Sequence, residues 1–361
     1  MHREKIYPWQ LFSLIFIFEL GSAVLFALGI QAKQDIWIVV ILSYLGAVVV
    51  AFVYTRLFYE YKCGLVEYLL KIWGKNLGSV ISFMYIVFFL ILTAVVTRNF
   101  MELLKTAILF LTPSAIITLL YIALITYAVM LGIECIARMS SLYVIIVAVL
   151  LVIQYSLFIA SKEVDFSSIL PILEDGIMLP LKTAFQITLE FPFTEIIAFT
   201  TVYPMLSKPQ KAFSMTLAAL TAAAVVIALN DIFIISILGV NETARISFPL
   251  YIAITMVRIG FIQNMDALVV IILVINGFFK VAIFYYACVE SIQKLFNFKD
   301  YRFLLVPLSA FIIAFTMIYG RNYTEHIELS LKILVPYIQL FVQVLLPFAT
   351  YIVSIFRKTA C

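Results

Sequence analysis

Ten apolar segments dominate the chain, at approximately 10–31, 36–56, 79–104, 113–133, 140–160, 181–206, 213–238, 266–289, 302–320 and 333–356. At 1.5 Å of rise per residue, each is long enough to cross the roughly 30 Å hydrocarbon core of a bilayer. Of the 361 residues, 65% are hydrophobic and 12% charged, too little polar surface for a soluble chain of this size. The expectation is an all-α polytopic membrane protein of ten transmembrane helices, one transmembrane domain over 1–361. The opening MHREKIYPWQ precedes an apolar run too long for a signal peptide, without a convincing cleavage site, and is read as a retained first span.

Lys and Arg in the connections orient such a chain. With a cytoplasmic N-terminus, fourteen of the 24 basic residues fall inside, among them Arg3, Lys5, Lys208 and Lys294. Nine fall outside, including Arg245, Arg258 and Arg321, and Lys280 lies within a span. Both termini are therefore expected in the cytoplasm, with 161–180 as an outer loop. Residues 241–262 contain Arg245, Pro249 and Arg258, and are expected as a re-entrant or surface helix on the outer face. The stretch GLVEYLLKIWGK (64–75) is amphipathic and suits the cytoplasmic surface.

Several function classes drop out. A formal charge of +4 is too small to imply nucleic acid. Four scattered cysteines form no CxxC, and the only histidines, His2 and His326, fall in polar ends or loops, so no metal or cofactor is expected. No nucleophile–base pair points to an enzyme.

The informative residues are those a bilayer tolerates least. Glu19 lies about ten residues into the first span, roughly 15 Å deep, and Glu190 lies equally deep in the sixth, which runs the other way. Their surroundings correspond: Glu19-Leu20-Gly21-Ser22-Ala23 and Glu190-Phe191-Pro192-Phe193-Thr194 each have an acid, an apolar residue and a helix breaker, then a stretch with a hydroxyl. Matching interruptions in two five-helix halves, 9–160 and 181–356, are the sequence mark of a 5+5 inverted-repeat transporter fold with broken helices 1 and 6. A broken helix exposes carbonyls and amides that are tolerated at membrane depth only inside protein or beside a polar cavity. Pro192 as a simple kink, and Gly21 with Ser22 as a close-packing surface, are the structural alternatives.

Other polar residues carry open readings. Glu195 either caps the second half-helix of the sixth span or pairs with an internal donor. Lys280, with Asn276 one turn before it, either neutralises a glutamate, stands as a fixed cation in place of sodium, or snorkels to the inner interface. Thr97 and Arg98 either line an outer vestibule or mark the interface. Asn230 and Asp231 are placed near the outer boundary, where solvation is sufficient.

The start YPWQLFSLIFIFELGSAVLFALGIQAKQDIWI, the motif GIECIARMS and the run EFPFTEIIAFTTVYPML together resemble the B subunits of bacterial spore germinant receptors. The resemblance covers essentially the whole chain. It implies membership of the amino acid–polyamine–organocation superfamily and its LeuT-like inverted-repeat fold. It also implies a nutrient receptor in the spore inner membrane that acts with an A subunit and a C-subunit lipoprotein. On that resemblance the ligand pocket maps onto Glu19 to Ala23 and Glu190 to Glu195, with Thr97, Asn276 and Lys280 as pocket or coupling residues. The ligand would be a small nutrient, an amino acid foremost. A proton-coupled amino acid permease is the alternative.

Overall fold

The computed structural model describes residues 5–257, 266–320 and 322–358. Arg3, Arg258, Arg321, His2, Cys361 and the end of the 241–262 segment lie outside them. All the regular structure is helical, apart from one parallel bridge between Ile6 and Leu206. Ile6 N–H donates to Met205 O at 2.9 Å and Ser207 N–H to Ile6 O at 2.8 Å, tying the start of the chain to the end of the sixth apolar segment.

Helix α1 (Pro8–Ala23) starts on a proline, whose missing N–H is no loss at that position. A short turn of 3₁₀ helix, Ile30–Asp35, leads into α2 (Ile36–Tyr61). In α3 (Leu65–Ala107), Gly74 has φ 78° and ψ 172°, a conformation glycine adopts without strain. The amphipathic stretch before it is thereby turned away from the membrane-crossing part. Helices α4 (Ser114–Leu131) and α5 (Ile133–Ala160) follow.

A strap between α5 and the sixth segment then packs over the α1–α2 connection. Lys33 Nζ pairs with Asp175 at 2.7 Å, Gln34 Nε2 donates to Pro171 O at 3.0 Å, and Leu173 N–H donates to Asp35 at 2.9 Å. Exposed hydrogen bonds from Ser167 hold the Asp165 carboxyl below the usual carboxylate range.

The sixth segment is the most irregular. It runs as α6 (Met178–Thr183), a π-turn over Ala184–Thr188, a non-helical turn, and 3₁₀ helix over Phe193–Thr201 and Tyr203–Met205. Pro192 has no N–H to continue a helical ladder, which accounts for the interruption. After it come α7 (Ala212–Thr243), the short helix α8 (Pro249–Met256), α9 (Asp266–Phe296) and α10 (Arg302–Ile318). The last segment is α11 (Tyr323–Leu329), a π-helical run Ser330–Leu345 containing Pro336, and α12 (Leu346–Lys358).

Among the described residues, seven helices are long and apolar enough to span a bilayer, and Arg302–Ile318 is a shorter apolar helix. The first apolar segment holds a 16-residue helix, and the sixth is broken. Helix α9 packs most extensively against α3, and α1 lies against α5, α7 and α9. Lipid tails are as apolar as these side chains, so close packing, not transfer from water, holds the helices together.

Candidate functional site

Lys280 is the electrostatic centre of the interior. Its Nζ lies 2.5 Å from Glu195 Oε2, and both side chains are at most 1% exposed. The ammonium also sits 4.9 Å from the ring centroids of Phe18 and Phe191, within cation–π range. Gln339 Nε2 donates to the other Glu195 oxygen at 3.2 Å. A buried ion pair is tolerated only when further hydrogen bonds satisfy its remaining atoms, and the glutamine supplies one. Glu195 is thus an internal ion-pair partner, and the capping role is set aside. Lys280 neutralises a glutamate and does not snorkel.

Gly21 makes this arrangement possible. A Cβ at Gly21 would lie 2.5 Å from Lys280 Cδ and 2.8 Å from its Cβ, so only glycine lets the lysine stem cross α1. Gly21 is therefore a close-approach residue and not a helix breaker. Glu19 to Ala23 stay helical, and the chain loosens only from Val24, where Leu25 N–H bonds Ser22 O and Phe26 N–H bonds Ala23 O in tighter turns. The expected break in the first span is displaced by one turn toward its C-terminal end.

A small pocket, with about 40 Å³ of space open to water-sized molecules, lies beside the ion pair. Phe26, Val95, Val96, Phe191 and Leu334 are among its apolar lining, while Asn99, Glu195, Ser330 and Gln339 supply polar groups. It lies between α3, the broken sixth segment and the π-helical run. Gln339 Oε1 has no hydrogen-bond partner within the protein. Four residues on, Gln343 Oε1 accepts from Thr194 Oγ1 at 2.7 Å, and Tyr54 O–H donates to the Gln343 carbonyl. Tyr85 O–H donates to Val342 O at 2.8 Å. The Thr194 bond secures the broken segment to the π-helical run, and the two tyrosines tie that run, its intrahelical bonding already widened, to α2 and α3.

The residues singled out in the sequence divide into groups. Phe191 and Glu195 line the pocket, and Thr194 braces it from behind. Lys280 is attached through Glu195. Leu20, Ala23 and Phe193 are core, and Pro192 is buried with them. Glu19 and Glu190 are both 0% exposed, and neither carboxyl has a hydrogen-bond partner within the protein. Ser22 Oγ and both polar atoms of Asn276 share that state, facing the packed interior of α1 and α9. Glu190 is absent from the pocket lining. Thr97 donates to Thr93 O at 2.6 Å on its own helix and takes no part in the pocket.

The C-terminal end of α3 is also a correction. Arg98 is buried, pairing with Glu102 at 2.9 Å and donating to Thr316 O at 3.2 Å. His326 is not in a polar loop: it is 0% exposed, and its Nε2 lies 2.7 Å from Asn99 Oδ1. Asn230 and Asp231 are each 2% exposed and therefore not solvated. Sequence reasoning missed Asn99, Gln339 and Gln343. The glutamines were visible as two amides four residues apart in an apolar run, and therefore on one helical face.

The comparisons with known proteins agree with this architecture. The family model described as spore germination protein, the spore permease family, matches residues 5–324. Spore germination protein KB of Bacillus subtilis (strain 168) is 32% identical over 360 residues, 99% of this chain and 96% of the relative. Spore germination protein YndE of the same organism is 27% identical over 335 residues, 90% of this chain and 88% of the relative. Among solved structures, Mhp1, a nucleobase-cation-symport-1 family transporter in a closed conformation with bromovinylhydantoin bound, aligns with a TM-score of 0.61. The alignment covers 99% of this chain and 93% of that one at 13% identity, a likeness of fold alone. Family and fold neighbour are permease-like and transporter-like, not enzymatic. This multi-pass membrane chain belongs to the spore permease family of spore germination proteins, as a germinant-receptor subunit of the B type.

Proposed function

We propose that this chain is the nutrient-sensing subunit of a spore germination receptor, binding a small nutrient, an amino acid foremost, in the pocket beside Lys280 and Glu195. The observation that carries the reading is the pocket itself: a small, partly open and mostly apolar space at a helix interruption, ending on a few fixed polar groups. That combination is typical of small-ligand sites. Both Glu195 oxygens are engaged, which leaves Gln339 Oε1 as a free acceptor for an N–H or O–H of the ligand.

The proposal extends to the whole fold. Ten helices form two inverted halves, 9–160 and 181–356, with both termini in the cytoplasm of the spore inner membrane. Ligand binding shifts the broken sixth segment against the π-helical run, and partner subunits, an A subunit and a C-subunit lipoprotein, receive the change. Such a shift needs a ligand that binds one arrangement better than the other. A second reading, a proton-coupled amino acid permease, draws on the unpartnered carboxyls of Glu19 and Glu190, since intramembrane acids often mark proton paths.

A thermal-shift screen of amino acids, sugars and nucleosides on the purified full-length protein tests the site. At least one amino acid is expected to raise the melting temperature, and Gln339→Leu to reduce that shift with the protein still folded. No shift from any amino acid, or one unchanged in Gln339→Leu, counts against this pocket. Accumulation of the same compound in vesicles containing this chain alone would favour the permease.

A further inference from the structure

A second polar set lies away from the pocket, buried between α5 and α7. Gln154, Asn230 and Asp231 are at most 2% exposed. Gln154 Nε2 donates to Asn230 Oδ1 at 2.9 Å. Beyond that bond, Gln154 Oε1, Asn230 Nδ2 and Asp231 Oδ2 have no hydrogen-bond partner within the protein. Among the described residues, no Lys or Arg forms an ion pair with Asp231.

The set is covered from the outside. Phe233 packs against Tyr155, Phe158 and Phe166, with ring centroids 5.6, 5.2 and 6.1 Å away. The strap is fastened above by Asp165 N–H donating to Ser236 O at 2.8 Å.

An isolated carboxylate in such surroundings must be neutralised by a cation or a proton. A metal cation wants several oxygen ligands, whereas Asn230 offers its free N–H₂ here. A neutral carboxyl matches the set better. It carries an O–H donor, the complement of the free amide oxygen of Gln154, and no charge to be paired. The titratable groups on neighbouring elements are otherwise engaged. Tyr155 on α5 donates to Val226 O, Asp165 accepts from Ser167, and Lys33 pairs with Asp175. Asp35 accepts from Leu173 N–H, Tyr251 on α8 bonds Asp266, and Tyr44 on α2 bonds Thr221. Glu19 on α1 is buried without a hydrogen-bond partner, and Lys162 and Glu163 on the strap are exposed.

We propose that Asp231, flanked by Gln154 and Asn230, is a proton-binding site separate from the nutrient pocket. It is loaded while the strap and aromatic layer cover it, and it exchanges its proton with the outer side when they lift. The proton adds to a carboxylate oxygen and leaves the same way, with no other bond changed.

Infrared spectroscopy on the full-length protein in bilayers, with only aspartate carboxyls ¹³C-labelled, tests this and keeps glutamate bands apart. One protonated-aspartate C=O band is expected at neutral pH, absent from Asp231→Asn and shifting slowly in D₂O. Phe233→Ala, which thins the cover, is expected to speed that shift several-fold. A labelled wild-type protein without such a band overturns the site, and that measurement needs no variant to fold. A band unaffected by Asp231→Asn assigns the proton elsewhere and overturns it too. A D₂O shift as fast in wild type as in Phe233→Ala overturns the role of the cover.

Discussion

The first and sixth apolar segments carry similar strings around a buried glutamate, yet they fold differently. In the first, Glu19 to Ala23 remain α-helical and Gly21 serves only to let Lys280 pass. In the sixth, Pro192 interrupts the ladder and the chain changes from π-turn to 3₁₀ helix around it. Glycine permits a break, while proline imposes one, because it removes a donor and clashes with the preceding turn. The regular segment thus provides a wall and the broken one provides pocket-lining side chains. Between them, Lys280 contacts both: its stem lies on Gly21 and its ammonium on Glu195.

The sharpest way to break this contrast is to remove one charge from the pair. Glu195→Gln, or Lys280→Met, leaves a buried charge uncompensated and is expected to destabilise the protein by about 3–5 kcal/mol. The double variant should recover much of that loss in a denaturation cycle. If the effects of the two single variants simply add, the pair is not the link described. Gly21→Ala comes next, since the added methyl meets the lysine stem, and overpacking of this kind costs about 1–3 kcal/mol. Unfolding at the wild-type midpoint would show that α1 and α9 separate easily there. Thr194→Val should cost about 1–3 kcal/mol by leaving Gln343 Oε1 without its buried donor. The smallest effect is expected from Glu190→Gln, below about 1 kcal/mol, because the amide replaces a carboxyl with no hydrogen bond within the protein. A large loss there would reveal a partner for Glu190 and erase its difference from Glu195.

The membrane character and the polar anomalies were legible in the sequence for one physical reason. Hydrocarbon excludes charge so strongly that Glu19, Glu190, Glu195 and Lys280 stand out against any apolar run. Which glutamate meets the lysine was not legible. That choice depends on the rotation of the sixth segment, and the π-turn at Ala184–Thr188 changes the register by widening one turn. The amides Asn99, Gln339 and Gln343 were overlooked because a neutral side chain is far less conspicuous in an apolar run than an ion. His326 and Asp231 looked peripheral by position along the chain, yet neighbouring elements bury both. Burial of that kind arises from contacts between distant segments, which periodicity does not encode.

The bridge between Ile6 and Leu206 has a practical consequence for anyone labelling this protein. Those two residues join the approach to α1 directly to the exit of the broken segment. A bulky fusion placed immediately before Ile6 would load the same bridge that holds Met205 and Ser207. A small fluorophore there would instead act as a strain gauge, reporting any movement of the sixth segment from a site outside the candidate pocket.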